Sequence, residues 1–275
     1  MKPQSTDELR ETSRQMRIEI LKMLNRAASG HTGGSLSAAD IIAALYFRVL
    51  RHDPKDPSWP ARDRFVLSKG HAAPALYTAL ALSGYFERAD LATLRQVGSP
   101  LQGHPDMRKT RGADASSGSL GQGLSIANGI AMGLRLDGSN ANVYVMIGDG
   151  ELQEGQIWEA AMTAAHYRLG KIIAIVDKNG LQIDGEVKNV MGVEPVDEKW
   201  RAFGWDVTEI DGHDFSQIVP ALEAPRSKPA TDRPSMIVAR TVKGKGVSFF
   251  ENQARYHGVA PSSDELARAL KELGE

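Results

Sequence analysis

Short apolar runs and helical apolar stripes take turns along this chain, and the clearest instance spans residues 143–185. Residues 143–147, VYVMI, are apolar and rich in β-branched side chains, which predicts a buried strand. Gly148-Asp149-Gly150 then turns the chain. Between 155 and 169 the apolar positions Ile157, Trp158, Ala161, Met162 and Ala165 recur at helical spacing, and Gly170 is expected to terminate that helix. A second apolar run, 172–176, ends in Asp177-Lys178-Asn179-Gly180. The unit is strand, loop, helix, strand, with a right-handed crossover. Upstream, Ile18, Ile20, Leu21, Leu24 and Ala28 mark an amphipathic helix over 6–28, followed by a glycine-rich loop over 29–35. Ser37 is placed to cap a helix over 38–50, with Asp40 in its first turn. Strands are expected at 64–67, 205–210 and 236–239. Further helices are expected at 72–82, within 84–97, up to 136 from the segment Gly118–Gly123, and at 197–203, 215–222 and 262–273.

Composition narrows the picture. With 275 residues the chain can hold one large α/β domain or two small ones. A net charge of −1 shows no bias toward nucleic acid or membrane surfaces. The absence of cysteine excludes disulfides, thiolate metal sites and a thiol nucleophile. The opening MKPQSTDELRETSRQMR has no signal-peptide core, and the apolar stretches 41–47 and 72–82 are too short to span a bilayer, so a cytoplasmic location is expected. No strand is followed by G-x-G-x-x-G and no Walker A motif occurs, which argues against a dinucleotide or nucleoside-triphosphate enzyme.

The candidate chemistry sits at strand ends, where open parallel sheets bind ligands. Asp149 follows one strand and Asn179 the next. A carboxylate, an amide oxygen, a backbone carbonyl (that of Leu181) and phosphate oxygens would make a hard site for Mg2+ or Ca2+, and not for zinc. Gly148 and Gly150 would let backbone approach a diphosphate. Taken singly, Gly-Asp-Gly is a turn, Asn-Gly a terminator and a loop histidine solvent-facing. Yet His31, His71 and His104 all fall beside glycines in loops, which core histidines seldom do. Lys243, in Lys243-Gly244-Lys245-Gly246, also lies past a strand.

In order along the chain come SGH, KGH, GHP, GSLGQG, GDG with Asn179, IDG, KGKG and YHG. This ordered set resembles the transketolase family over roughly residues 5–273. The resemblance implies the thiamine diphosphate-binding fold, a mostly parallel central sheet with helices on both faces, over 1–275 as one domain. It implies a thiamine diphosphate-dependent ketol transferase of carbohydrate metabolism, with Mg2+ or Ca2+ held by Asp149, Asn179 and Leu181. It implies catalytic roles for His31, His71, His104 and His257. Cofactor contacts are implied for His71, Gly118, Ser119, Leu120, Asp149, Gly150, Asn179, Ile183, Lys243 and His257. Glu154, in the same helix as Glu159, matches an acid at the family's subunit interface. The family often has proline after the first histidine and serine or another small residue further on; here Thr32 and Gly34 stand there.

No part of the sequence matches the family's pyrimidine-binding domain, which carries the glutamate that activates the aminopyrimidine and the arginines that grip a sugar phosphate. The expectation is therefore the N-terminal subunit of a two-chain transketolase. Its partner would be a C-terminal subunit with the pyrimidine domain, joined in a heterotetramer that moves a two-carbon ketol unit from a ketose phosphate to an aldose phosphate in pentose phosphate metabolism. The alternatives are a split enzyme for an unusual catabolic sugar phosphate, and a non-catalytic cofactor-binding homologue.

Overall fold

The computed structural model describes residues 2–275. Helix α1 runs Thr6–Ala27, and its start is fixed by a capping box in which Ser5 and Glu8 bond reciprocally. Helix α2, Thr32–Ala44, continues as one π-helical turn, Leu45–Val49. The first helix thus matches expectation and the second does not. Residues 32–35 are its first turn rather than a loop, and Ser37 lies within it, not at its cap. The glycines there serve close packing: a Cβ on Gly33 would sit 2.8 Å from Cγ of Lys243.

Strand β1 (Arg64–Leu67) leads through a 3-10 turn into α3 (Ala73–Ser83), and α4 spans Gly123–Leu136. The central unit is β2 (Val143–Gly148), α5 (Gly155–His166) and β3 (Ile172–Lys178). A small ribbon pairs β4 (Leu181–Gln182) with β5 (Gly185–Glu186), ahead of α6 (Val187–Val190) and α7 (Val196–Ala202). Then come β6 (Asp206–Asp211), α8 (Phe215–Glu223), β7 (Ser235–Arg240) and α9 (Ser263–Glu272). The expected helix within 84–97 is only a 3-10 stretch, Arg88–Thr93.

Five strands form one parallel sheet in the order β1-β2-β3-β7-β6. The inner strands are buried on both faces, so they read as continuous apolar runs. Tyr144, Met146, Ile173, Ile175 and Ile237 face the core layer that holds α1, α2, α3 and α8. Val145, Ile147, Ala174, Val176 and Val238 face the layer of α4, α5 and α7. The expected α/β fold, a mostly parallel sheet between two helical layers, is borne out. No helix among the described residues is long and apolar enough to cross a membrane.

Gly170 does not terminate α5. The helix ends at His166, and Arg168 takes the left-handed conformation with φ 51°. Gly170 is small for a different reason: a Cβ there would lie 2.2 Å from the carbonyl oxygen of Pro229. Gly170→Ala is therefore expected to destabilise the chain by about 1–3 kcal/mol through overpacking. Urea unfolding checks this, and an unchanged midpoint would mean that the 225–234 segment gives way freely.

Candidate active site

The parallel register brings the carboxyl ends of β1, β2, β3 and β7 to one edge. Gly148 is level with Asp177, and Lys178 with Arg240. Asp149 and Asn179 therefore leave adjacent strands side by side, as their spacing suggested. Asp149 is buried. Its Oδ1 accepts from the Gly150 amide at 2.9 Å and its Oδ2 from the Gly180 amide at 2.5 Å. Burial pushes its carboxyl up to about 6, although those amides and Lys69 pull the other way. Asn179 Oδ1 accepts from the Leu181 amide at 3.1 Å.

Cations face this oxygen cluster. The buried Lys243 ammonium donates to the Leu181 carbonyl at 2.9 Å and to His257 Nδ1 at 2.8 Å. Burial first, then Lys69, lowers Lys243 to about 8. Lys69 pairs with the fully buried Asp177 and donates to the Gly34 carbonyl at 3.1 Å. A cavity of about 210 Å³ opens among Lys69, His71, Leu120, Asp149, Lys243 and His257.

Four histidines, from sequence positions far apart, converge beside that cavity. The His31 ring centroid lies 5.2 Å from His71, 5.5 Å from His257 and 6.4 Å from His104. Those of His71 and His257 are 5.0 Å apart. Burial and neighbouring cations keep all four uncharged at neutral pH. Burial lowers His31 to about 4 with help from Arg95, and His257 to about 3 with help from Lys243. Burial and Lys69 hold His71 well below the usual range, and His104 is lowered by burial and Arg95. Buried His31 Nδ1 has no hydrogen-bond partner.

The remaining candidates are spread around the cavity. Gly118, with φ 145°, packs on the His104 ring, where a Cβ would fall 3.0 Å from Cγ. Ser119 is exposed, while Gly150, Leu181 and Ile183 line the cavity with Leu120. Ile183 is at the rim and 70% exposed. Glu154 also lines the cavity but makes no side-chain cap bond to α5, and Glu159 is exposed. The Leu181 carbonyl, expected to face a cation, accepts from the Lys243 ammonium.

Sequence reasoning passed over the groups that hold these residues in place. Asp177 accepts from Lys69, Thr241 and, at 2.6 Å, Ser37 Oγ, tying the ends of β1, β3 and β7 to α2. Buried Glu151 accepts from Ser68, from the Gly121 amide at 2.9 Å and from the Gly148 amide at 3.1 Å. The one visible signal was an acid closing an apolar strand run, Ile172 to Asp177, and it did not reveal the partner.

A cavity lined by lysines, imidazoles, a carboxylate, an amide and a carbonyl suits a diphosphate with a divalent cation. Comparison with known proteins agrees. The family model described as "Transketolase, thiamine diphosphate binding domain" matches residues 9–275, which sets the fold in the thiamine diphosphate-binding α/β class. The 6-deoxy-6-sulfo-D-fructose transketolase subunit SqwG of Clostridium sp. (strain MSTE9) is 49% identical over 92% of this chain and 91% of its own. One of the apulose-4-phosphate transketolase subunits, from Actinobacillus succinogenes, is 43% identical over 98% of this chain and 97% of its own. A transketolase crystal structure from Campylobacter jejuni superposes with TM-score 0.91 at 35% identity, covering 98% of this chain and 43% of that one. The chain belongs to the transketolase family. It spans about two fifths of the length of relatives such as the human enzyme, of which it covers 42%.

Proposed function

We propose that this chain is the N-terminal, diphosphate-binding subunit of a two-chain transketolase, with residues 1–275 acting as one domain in the cytoplasm. The observation that carries the reading is the juxtaposition of Lys69 and Lys243 with Asp149, Asn179 and Leu181 around one cavity. Asp149, Asn179 and the Leu181 carbonyl would hold Mg2+ or Ca2+. Lys243, His257 and His71 would face the diphosphate, with Gly150, Gly118, Ser119, Leu120 and Ile183 against the rest of thiamine diphosphate. When bound, this cofactor supplies the electron sink for carbon–carbon cleavage and ligation. The uncharged imidazoles of His31, His71 and His104 can take a proton from a sugar hydroxyl and return it, and His257 can do so once Lys243, which donates to its Nδ1, has turned to the diphosphate. The burial that lowers them keeps that lone pair free.

The partner is a C-terminal subunit with a pyrimidine domain, a reading supported by the relatives matched along nearly their whole length, which are named as transketolase subunits. A heterotetramer of two such pairs follows from the prevalence of symmetric assemblies. The sugar is a phosphate of the pentose pathway or an unusual catabolic one. The second option is favoured by the relatives matched along nearly their whole length, whose names specify apulose 4-phosphate and 6-deoxy-6-sulfo-D-fructose, the latter an unusual sugar with a sulfo group in place of phosphate.

The test mixes the purified chain with the product of an adjacent reading frame that encodes a pyrimidine domain, adding Mg2+ and thiamine diphosphate. Ketol transfer is expected only in the mixture. Full turnover by the isolated chain would overturn the half-site reading. Running xylulose 5-phosphate, apulose 4-phosphate and sulfofructose as alternative donors assigns the sugar.

A further inference from the structure

Past the end of β6, the Asp211-Gly212-His213 segment turns inward, and nothing in the cofactor cavity uses it. His213 Nδ1 lies 2.7 Å from Asp40 Oδ2, and its Nε2 accepts the Val242 amide at 2.8 Å. An acceptor at Nε2 fixes the tautomer with the proton on Nδ1. The same Asp40 forms a two-pronged ion pair with Arg17, at 2.7 and 2.9 Å. Arg17 in turn donates through Nε to the Lys245 carbonyl at 2.9 Å. Arg17, Asp40 and His213 are all largely buried, with side-chain exposures of 7%, 7% and 12%.

Two contacts therefore grip one short segment on either side of Lys243: His213 at Val242 and Arg17 at Lys245. Asp40, in α2, joins the two grips. We infer that Arg17, Asp40 and His213 form a clasp that positions Lys243 toward the diphosphate, with His213 as a positioning residue that acts through the Val242 amide. The inference rests on the reading of Lys243 as an anion-binding lysine. The contacts are chemically specific. The Val242 N–H needs an acceptor at the far end of residue 213, and Asp40 needs a donor at the near end. Loss of the first frees the backbone beside Lys243 and leaves a part-buried N–H unpaired. Loss of the second leaves Asp40 still held by Arg17.

Glutamine and asparagine separate these contacts. His213→Gln keeps an acceptor at the reach of Nε2, and His213→Asn keeps a donor near Nδ1 but falls short of Val242. Binding of inorganic diphosphate in the presence of Mg2+ is measured by calorimetry on the full chain. His213→Asn is expected to weaken it about tenfold, the scale of one lost buried hydrogen bond, and His213→Gln by less than about threefold. On a Lys243→Met background, His213→Asn is expected to add less than about a twofold loss, because the two sites act through one contact. Equal losses for the two variants, or an undiminished loss on the Lys243→Met background, would overturn the clasp and leave Lys243 as an independent anion ligand. If Lys243→Met itself leaves diphosphate binding unchanged, the anion-binding reading of Lys243 fails and this inference fails with it. Nitrogen-15 spectra of the wild-type chain give a readout independent of ligand: His213 is expected with its proton on Nδ1, and the opposite tautomer would overturn the assignment.

Discussion

Asp149→Ala is expected to weaken Mg2+-dependent thiamine diphosphate binding by more than about a hundredfold, and Asn179→Ala to do nearly the same. Loss of a group that merely supports a ligand typically costs ten- to a hundredfold in metal affinity, and these two residues are proposed as the ligands themselves. The fold should survive both changes, since each side chain lies past a strand end and Asp149 bonds only to the nearby amides of Gly150 and Gly180. Burial even works against the ionised Asp149. With its folded value raised to about 6, its contribution to stability is full below the unfolded value and lost as the pH rises through 6. At pH 7.5 without metal, the Ala variant should therefore unfold at no lower urea concentration than the wild type. Calorimetric titration with cofactor and Mg2+, in the reconstituted complex, measures the binding. Wild-type affinity in either variant would remove the metal assignment.

Asp177→Asn should have the larger effect on the fold itself, about 3–5 kcal/mol of lost stability. Asp177 is entirely buried, and Lys69 is 1% exposed. Burial alone would raise the Asp177 carboxyl, yet Lys69 beside it holds it below the usual range. Removing that negative charge leaves a buried ammonium with only neutral acceptors, the Gly34 carbonyl and the new amide oxygen, and no countercharge. Urea unfolding reads the loss directly. Replacing both members, Lys69→Met with Asp177→Leu, should recover much of it, because the expense lies in the unpaired charge rather than in the missing pair. A shift below about 1 kcal/mol for Asp177→Asn would show that Lys69 has found water or another partner.

The strands were legible because each inner strand is buried on both faces and has nowhere to place a polar residue. The expected runs at 143–147, 172–176 and 236–239 fall inside the inner strands β2, β3 and β7 for that reason, and the run at 64–67 coincides with the edge strand β1. The start of α2 was illegible. Thr32-Gly33-Gly34-Ser35 reads as a loop by local propensity, but the structure makes it a helical turn that passes close beneath Lys243 and His71. Asp149, Asn179 and the four histidines, singled out from glycine-flanked motifs and their order along the chain, do come together in space, at and beside one cavity. The residues that hold them were missed. Asp177 bonds to Lys69 across 108 positions and to Ser37 across 140, and His213 reaches Asp40 across 173. No local pattern encodes such pairs. They exist only once the sheet has placed α2 over the ends of β1, β3, β6 and β7.

Strand β7, which comes after β6 in sequence, lies between β3 and β6 in space. Until Ser235–Arg240 is in place, β3 has an open edge and β6 has no neighbour. Synthesis order and sheet order therefore disagree over the last third of the chain. A nascent chain that has emerged only to residue 230 would expose the β3 edge to chaperones or to other unfinished copies. Final closure would be one concerted, long-range event, of the kind that slows folding. Lys243 and His257 follow β7, so their side of the cavity is completed by the same late step. Cofactor present during refolding would then stabilise the finished sheet and leave the rate of its assembly unchanged.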